Sequence, residues 1–461
     1  MNQGKPPSVN DTYSRRLHAV IPGGAHTYSR GDDQFPANAP AILERGRGAH
    51  VWDPAGNCFL DYGMALRAVT LGYAHPRVNA AVAREIDKGV NLTRATTIEL
   101  KAAERIVELI PSADMVKFAK NGSNVTTAAA KIARAYTGRT YICVPRQHPF
   151  FSFDDWFIGT TVMQRGTVSS HYASTLLFDY GDVASLERLF AEHPGEIAGV
   201  MLEPATTQGP CSPACTRALT RDGPSCDCIR NGGNFLHQVQ TLCLREGALF
   251  ILDEMITGFR WHMQGAQTYF GVDPDLTTFG KAMANGFSVA ALLGKRAPME
   301  VGSILKEGAE RTFLLSTTHG AEMSGLAAFL ETIRVYEDED VVGHLWDYGR
   351  GLFDLLEGLS TRHGLADHFV MDGSAIAMNF ITRDRDGDPS MALRALFQQE
   401  MLRGGVMMPW VAVSLAHDAA ALAQTEAAAD KALAVYAKAL TDGVETYLEG
   451  PPLKPVFRKH N

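Results

Sequence analysis

An acid and an amine stand at the ends of two short segments in the middle of the chain. GALFILDEM carries Asp253 directly after the apolar run 248–252, and DLTTFGKAM carries Lys281 just beyond a second strand candidate, Leu276–Phe279, closed by Gly280. A short apolar run fits a fully buried strand of a parallel sheet. Both side chains are therefore expected at strand ends, the edge of an open α/β sheet at which ligands bind. Two chemistries use such a pair. Nucleotide hydrolysis places an acid at a strand end to hold magnesium, but it needs a Gly-x-x-x-x-Gly-Lys-Ser/Thr loop upstream. Here Gly280-Lys281 lies downstream, Asp275 stands at the first glycine and Ala282 replaces the hydroxyl, so that reading fails. The second is pyridoxal phosphate (PLP) chemistry, in which a lysine forms the Schiff base and an acid keeps the pyridine nitrogen protonated. A buried structural salt bridge is the remaining alternative for this stretch taken alone.

Other segments end in groups of the same kind. MVKFAKNGSNVTTAAAKIARAYTG predicts a strand, a glycine-containing turn and a helix closed by Gly138. Free N–H groups at a helix N-terminus beside a hydroxyl make an anion site, and an ordinary cap is the bland reading. EIAGVMLEPA is a further apolar run ending in an acid, Glu203. AHVWDPAGNCFLDYG predicts a hairpin with its turn at Asp53 to Asn57. Apolar residues recur at helical spacing over 76–88 and 98–110, and residues 235–246 predict a helix leading into the Asp253 run. FLLSTTHGAEMSGLAAFLETIRVYE predicts a strand, a polar turn and a long helix, and an alanine-rich helix is expected near 419–445.

DEMITGFR and TFGKAMANG resemble the class III (fold type I) PLP-dependent aminotransferases, in the branch containing glutamate-1-semialdehyde aminomutase. The resemblance runs from about Pro22 to about His417. It implies an α/β PLP-dependent transferase fold: a large domain with a mostly parallel seven-stranded sheet flanked by helices, and a smaller α+β domain. The implied divisions are an N-terminal segment and hairpin (1–75) packing with the small domain, a PLP-binding domain (76–335) and a C-terminal domain (336–461). Carried over residue by residue, it makes Lys281 and Asp253 catalytic. Gly122, Ser123 and Asn124 become phosphate contacts, Phe150 the ring-stacking aromatic and Glu203 a group near the cofactor hydroxyl. Met255 packs on the opposite ring face. Thr317, with Thr318 the near alternative, reaches the phosphate of a partner subunit's cofactor, which implies a homodimer with shared sites. PGGAHTYSR resembles the aminomutase entry segment and places Arg30 on the substrate-carboxylate arginine; Arg67 falls near the pocket lining. The segment RQHPFFSFDDWFIGTT departs from the family, and the aminomutase gating segment is not recognisable after it.

That departure favours an aminotransferase moving an amino group from an amino acid donor, expected to be glutamate, to an aldehyde or ketone. An aminomutase is the runner-up, and an inactive PLP-fold scaffold comes third. Residues 211–230 form an insertion in which Cys211, Cys215, Cys226 and Cys228 could hold structural zinc or remain reduced thiols. DRDGDP resembles a calcium loop, but its glycine is misplaced and Ala395 stands where the bidentate acid belongs, so it reads as a turn. A net charge of −8 gives no electrostatic case for nucleic acid. No apolar run suits a membrane span and MNQGKPPSVN is no signal peptide, so a cytoplasmic location with reduced cysteines is expected.

Overall fold

The computed structural model describes residues 9–223, 233–305 and 307–461. The chain forms two compact units, one of Met1–His75 with Asp347–Arg458 and one of Pro76–Trp346 with Lys459–Asn461.

In the first unit, β1 (Arg45–Arg47), β2 (His50–Trp52) and β3 (Cys58–Asp61) form an antiparallel meander, extended by β13 (Val406–Met407) parallel to β3. The expected hairpin is present. Asp53 closes its turn by accepting from the Ala55 and Asn57 backbone N–H groups and from the Asn57 amide. A second antiparallel pair, β11 (Phe369–Ser374) and β12 (Ala377–Thr382), and the helices Met391–Arg403 and Ala419–Asp442 complete an α+β layer.

After β3 the backbone does something unusual. Met64, Ala65, Leu66 and Arg67 have φ of 39°, 49°, 62° and 66°. Four consecutive non-glycine residues thus form one left-handed turn, at a cost of about 1–2 kcal/mol each. The surroundings fix it. Buried Asp61 accepts from the N–H groups of Gly63 (2.7 Å) and Met64 (3.1 Å) and from the Tyr73 hydroxyl (2.6 Å), and Tyr73 accepts from Ala65 N–H (2.9 Å). Burial pushes the Asp61 carboxyl above its usual range, against these hydrogen bonds.

The second unit is built on seven strands: β4 (Met115–Ala119), β5 (Tyr141–Pro145), β6 (Thr175–Phe178), β7 (Ile197–Leu202), β8 (Leu249–Asp253), β9 (Leu276–Phe279) and β10 (Ala290–Gly294). Their order is β4-β10-β9-β8-β7-β5-β6; β10 is antiparallel to both neighbours and every other pairing is parallel. This is the mostly parallel seven-stranded sheet that the resemblance implies. All five residues of β8 are buried, as its unbroken apolar sequence requires. Each such large side chain contributes about 1.5–3 kcal/mol on burial. The helix Gly122–Thr137 packs through Ala128, Ala129 and Ala133, small enough to seat it closely on β7 to β10. Gly138, at φ 71°, ends it in the left-handed conformation.

One expected strand does not form. Residues 311–317 form no regular element, with Phe313 75% exposed, and regular structure resumes at the helix Met323–Asp338. Leu314 and Leu315 pack part-buried against the core while Phe313 stays open, and among the described residues no strand pairs with the segment.

Candidate active site

Asp253 and Lys281 are delivered by adjacent parallel strands. In the β8–β9 register Asp253 lies opposite Thr278, three residues before Lys281. Asp253 is buried, and both of its hydrogen bonds fall on one oxygen: Thr278 Oγ1 donates at 2.7 Å and Met255 N–H at 3.0 Å, each to Oδ1. Oδ2 accepts no hydrogen bond among the described residues. Burial pushes this carboxyl above its usual range, while the Thr278 bond and the ammonium of Lys281 pull it back. The lysine charge is therefore felt at the carboxylate, and the two groups share one site. Lys281 is half-buried and sits at φ 36°, a strained setting for a non-glycine residue of the kind that collects at functional sites.

The turn Asn121-Gly122-Ser123 opens the helix Gly122–Thr137 beside this pair. The Asn121 side chain caps the helix by accepting from Asn124 N–H (3.0 Å). The Asn124 backbone donor is thus already engaged, and the Gly122 and Ser123 N–H groups are left to face an anion. Ser123 is buried, and its Oγ accepts from Phe153 N–H at 3.2 Å. Met255 bridges from the acid to this turn. A Cβ on Gly122 would lie 3.1 Å from its Cε, and one on Gly280 would fall on its sulfur. Both glycines are needed for the close approach of three segments.

Glu203 is buried at the tip of β7, and its N–H donates to His148 Nδ1 at 3.1 Å. His148 is buried between Tyr180 and Phe151, and burial lowers its pKa to about 3, so the ring is neutral. Phe150 keeps 44% of its surface open with its edge against Phe157, while Phe151 enters the core. The divergent segment after β5 is stapled to the helix. Trp156 Nε1 donates to Thr127 Oγ1 (2.8 Å), and Thr127 Oγ1 donates to Asp154 (2.6 Å) and contacts Ser152 Oγ (3.0 Å). Thr317 and Thr318 are exposed; the Thr318 carbonyl accepts from the Asn91 amide, and neither hydroxyl bonds to the site among the described residues. Arg30 and Arg67 belong to the other unit.

Two residues escaped the sequence reading. His148 carried no motif. Glu254 is fully buried and accepts four hydrogen bonds, from Thr257 Oγ1, Ala266 N–H, Gln267 N–H and Gln267 Nε2. The available signal was alternation: on a strand, consecutive acids point to opposite faces, so one must serve the scaffold.

The cysteine insertion departs from expectation. Cys226 and Cys228 lie outside the described residues, and Cys215 is disulfide-bonded rather than a reduced thiol. A sulfur in a disulfide is no thiolate ligand, so the four-thiolate zinc site is not supported. Among the described residues no group of three or more His, Cys, Asp or Glu could hold a metal ion. Nor is any helix among them long and apolar enough to cross a membrane.

The seven-stranded, mostly parallel sheet with Asp253 and Lys281 at neighbouring strand ends is the fold of a type I pyridoxal-phosphate-dependent transferase. The chain belongs to the class III aminotransferases, whose family model matches residues 29–221 and 228–441 and breaks inside the cysteine insertion. Within that family it lies in the branch of the glutamate-1-semialdehyde aminomutases. It is 31% identical over 393 residues to a glutamate-1-semialdehyde 2,1-aminomutase of Acetivibrio thermocellus, covering 82% of this chain and 84% of that protein. A 3-aminobutyryl-CoA aminotransferase of Cloacimonas acidaminovorans is 29% identical over 391 residues, covering 84% and 87%. The FumI protein of Sphingopyxis sp. MTA144, solved in its PLP internal aldimine form, matches with a TM-score of 0.80 at 26% identity, covering 94% of this chain and 97% of that one.

Proposed function

We propose that this protein is a PLP-dependent aminotransferase that takes an amino group from an amino acid, with glutamate the expected donor, and delivers it to an aldehyde or ketone. The observation that carries the reading is the shared site of Asp253 and Lys281 at the tips of β8 and β9. The residues present fit the cofactor. The open oxygen of Asp253 suits a protonated pyridine nitrogen, the Gly122–Ser123 turn suits a phosphate, and Gly122 and Gly280 let Met255 pack close beside the acid.

When bound, PLP supplies an electron sink for the carbanion formed at the substrate carbon. The chain supplies the rest. Lys281 would be the amine that holds the cofactor's aldehyde, and as a general acid and base it would move the proton at the substrate carbon. Asp253 keeps the pyridine nitrogen protonated. Gly122 and Ser123 anchor the phosphate, with Asn124 beside them at the helix start. Phe150 and Met255 would hold the ring, and Glu203 would lie near its hydroxyl. Arg30 and Arg67 are assigned to the substrate's carboxylate. Thr317, or Thr318 next to it, reaches the phosphate of a partner subunit's cofactor in a homodimer; the exposed Ile304, Leu305 and Phe313 nearby in sequence are in keeping with an intersubunit face.

The aminomutase reading is second, favoured by PGGAHTYSR and by the relatives named for that activity. It is disfavoured by the segment after β5, which the Thr127 hydrogen bonds hold in place. A half-reaction screen separates the two. Glutamate should convert the cofactor's spectrum and release 2-oxoglutarate for an aminotransferase; a response to diamines or semialdehydes alone would refute it. Lys281→Ala should fold yet lose the lysine-linked chromophore, and its persistence would overturn the lysine's role.

A further inference from the structure

Five neighbouring strands of the second unit bring chemical groups to one edge of the sheet. In the order β9-β8-β7-β5-β6, Lys281, Asp253 and Glu203 stand at the ends of the first three. The other two strands lead into residues that the proposed chemistry leaves unused: His148 shortly beyond β5 and Tyr180 shortly beyond β6.

Both grip the same two-residue stretch. His148 Nδ1 accepts the Glu203 N–H at 3.1 Å, and the Tyr180 hydroxyl donates to the Pro204 carbonyl at 2.6 Å. The two rings lie 4.9 Å apart, and each residue is 4% exposed. The pair is braced from behind. The Gln147 side chain accepts from Tyr180 N–H at 2.9 Å and donates to Asp179 at 2.9 Å, and Tyr180 packs edge-on against Phe235. Burial first, then the charges of Cys211 and Glu203, push the Tyr180 hydroxyl well above its usual range, so it keeps its proton and feels the Glu203 carboxylate.

The histidine holds this place at a cost. Its ring is neutral, so with Nδ1 accepting, the proton sits on Nε2. Nε2 is buried and finds no hydrogen-bond partner among the described residues. A phenylalanine would fill the same space without an unpaired donor. It could not accept the Glu203 N–H, and that contact is what the histidine supplies.

We propose that His148 and Tyr180 are positioning residues: they fix the Glu203-Pro204 backbone at the tip of β7 and so hold the Glu203 carboxylate beside the cofactor hydroxyl. The inference deepens the aminotransferase reading and rests on its assignment of Glu203.

The test is the pH titration of the lysine-linked chromophore in the intact, PLP-loaded protein. A carboxylate beside the cofactor favours the chromophore's protonated form, so Glu203→Gln should lower the midpoint by about half a pH unit or more. His148→Phe should lower it too, whereas His148→Asn, whose amide oxygen replaces Nδ1 as acceptor, should stay near the parent value. Tyr180→Phe removes a hydroxyl and leaves the ring; it should move the midpoint the same way, and it carries the test if His148→Phe does not fold. Neither change should add to Glu203→Gln, because both act through that carboxylate, whereas a general loosening of the fold would add. An unmoved midpoint in Glu203→Gln or in Tyr180→Phe, equal shifts for His148→Asn and His148→Phe, or additive shifts would each overturn the proposal. The glutamate half-reaction separates the two readings. Non-additive shifts without conversion by glutamate would uphold the clamp and refute the aminotransferase. Conversion with unmoved midpoints would refute the clamp alone.

Discussion

Glu254→Gln is the perturbation for which the structure yields both a sign and a size. Burial raises this carboxyl from an ordinary 4.5 to about 7, against the four hydrogen bonds that favour its charged form. At about 1.4 kcal/mol per pH unit between the two values, ionising Glu254 in the folded chain costs about 3 kcal/mol relative to the unfolded chain. The folded value is the higher one, so the folded state binds the proton more tightly. The stabilisation is complete below about pH 4.5 and is lost as pH rises to about 7. His148 works the other way. Its folded value of about 3 lies below the ordinary 6.5, so its contribution is complete above about 6.5 and is lost as pH falls. The glutamine variant keeps the histidine term and removes the glutamate term. It also sets an amide N–H₂ against the Ala266 or Gln267 donors, a pH-independent loss of about 1–3 kcal/mol. In urea unfolding at about pH 5 and about pH 8, the difference between variant and parent should shift by about 2–3 kcal/mol in favour of the variant at the higher pH. A difference that stays constant with pH would refute the claim that burial dominates the hydrogen bonds at this residue.

Other substitutions address the cofactor side. Gly280→Ala should drive its methyl group into the Met255 sulfur and cost about 1–3 kcal/mol, and Met255→Ala in the same chain should restore most of it; thermal unfolding of the three proteins decides. Asp253→Asn keeps the shape but cannot hold the pyridine nitrogen protonated, so kcat should fall on the order of a hundredfold while PLP still binds. Ser123→Ala removes the acceptor for Phe153 N–H, worth about 1 kcal/mol, and should speed PLP release measured by dialysis.

What the sequence disclosed and what it hid divide along one physical line. β8, β9 and the helix Gly122–Thr137 were legible because each is specified locally: an unbroken apolar run, an asparagine cap, a glycine stop. That Asp253 and Lys281 would stand at the ends of two strands was legible, and β8 and β9 are neighbours, as sequential strands are about two-thirds of the time. The segment 311–317 misled because three apolar residues look alike whether a neighbouring strand or a second chain covers them, and Phe313 lies open here. Cys215 misled because the redox state of a thiol is not written in its spacing. The left-handed turn 64–67 was invisible, since its four residues MALR include none of the glycines or asparagines that announce positive φ. Its cause lies outside those four residues, in the Asp61 carboxylate before them and the Tyr73 hydroxyl after them. Strain of this kind is non-local by nature, because only a clamp outside the strained segment can hold it. A turn held by such strain must therefore be found by measuring backbone angles, because no residue type within it announces the conformation.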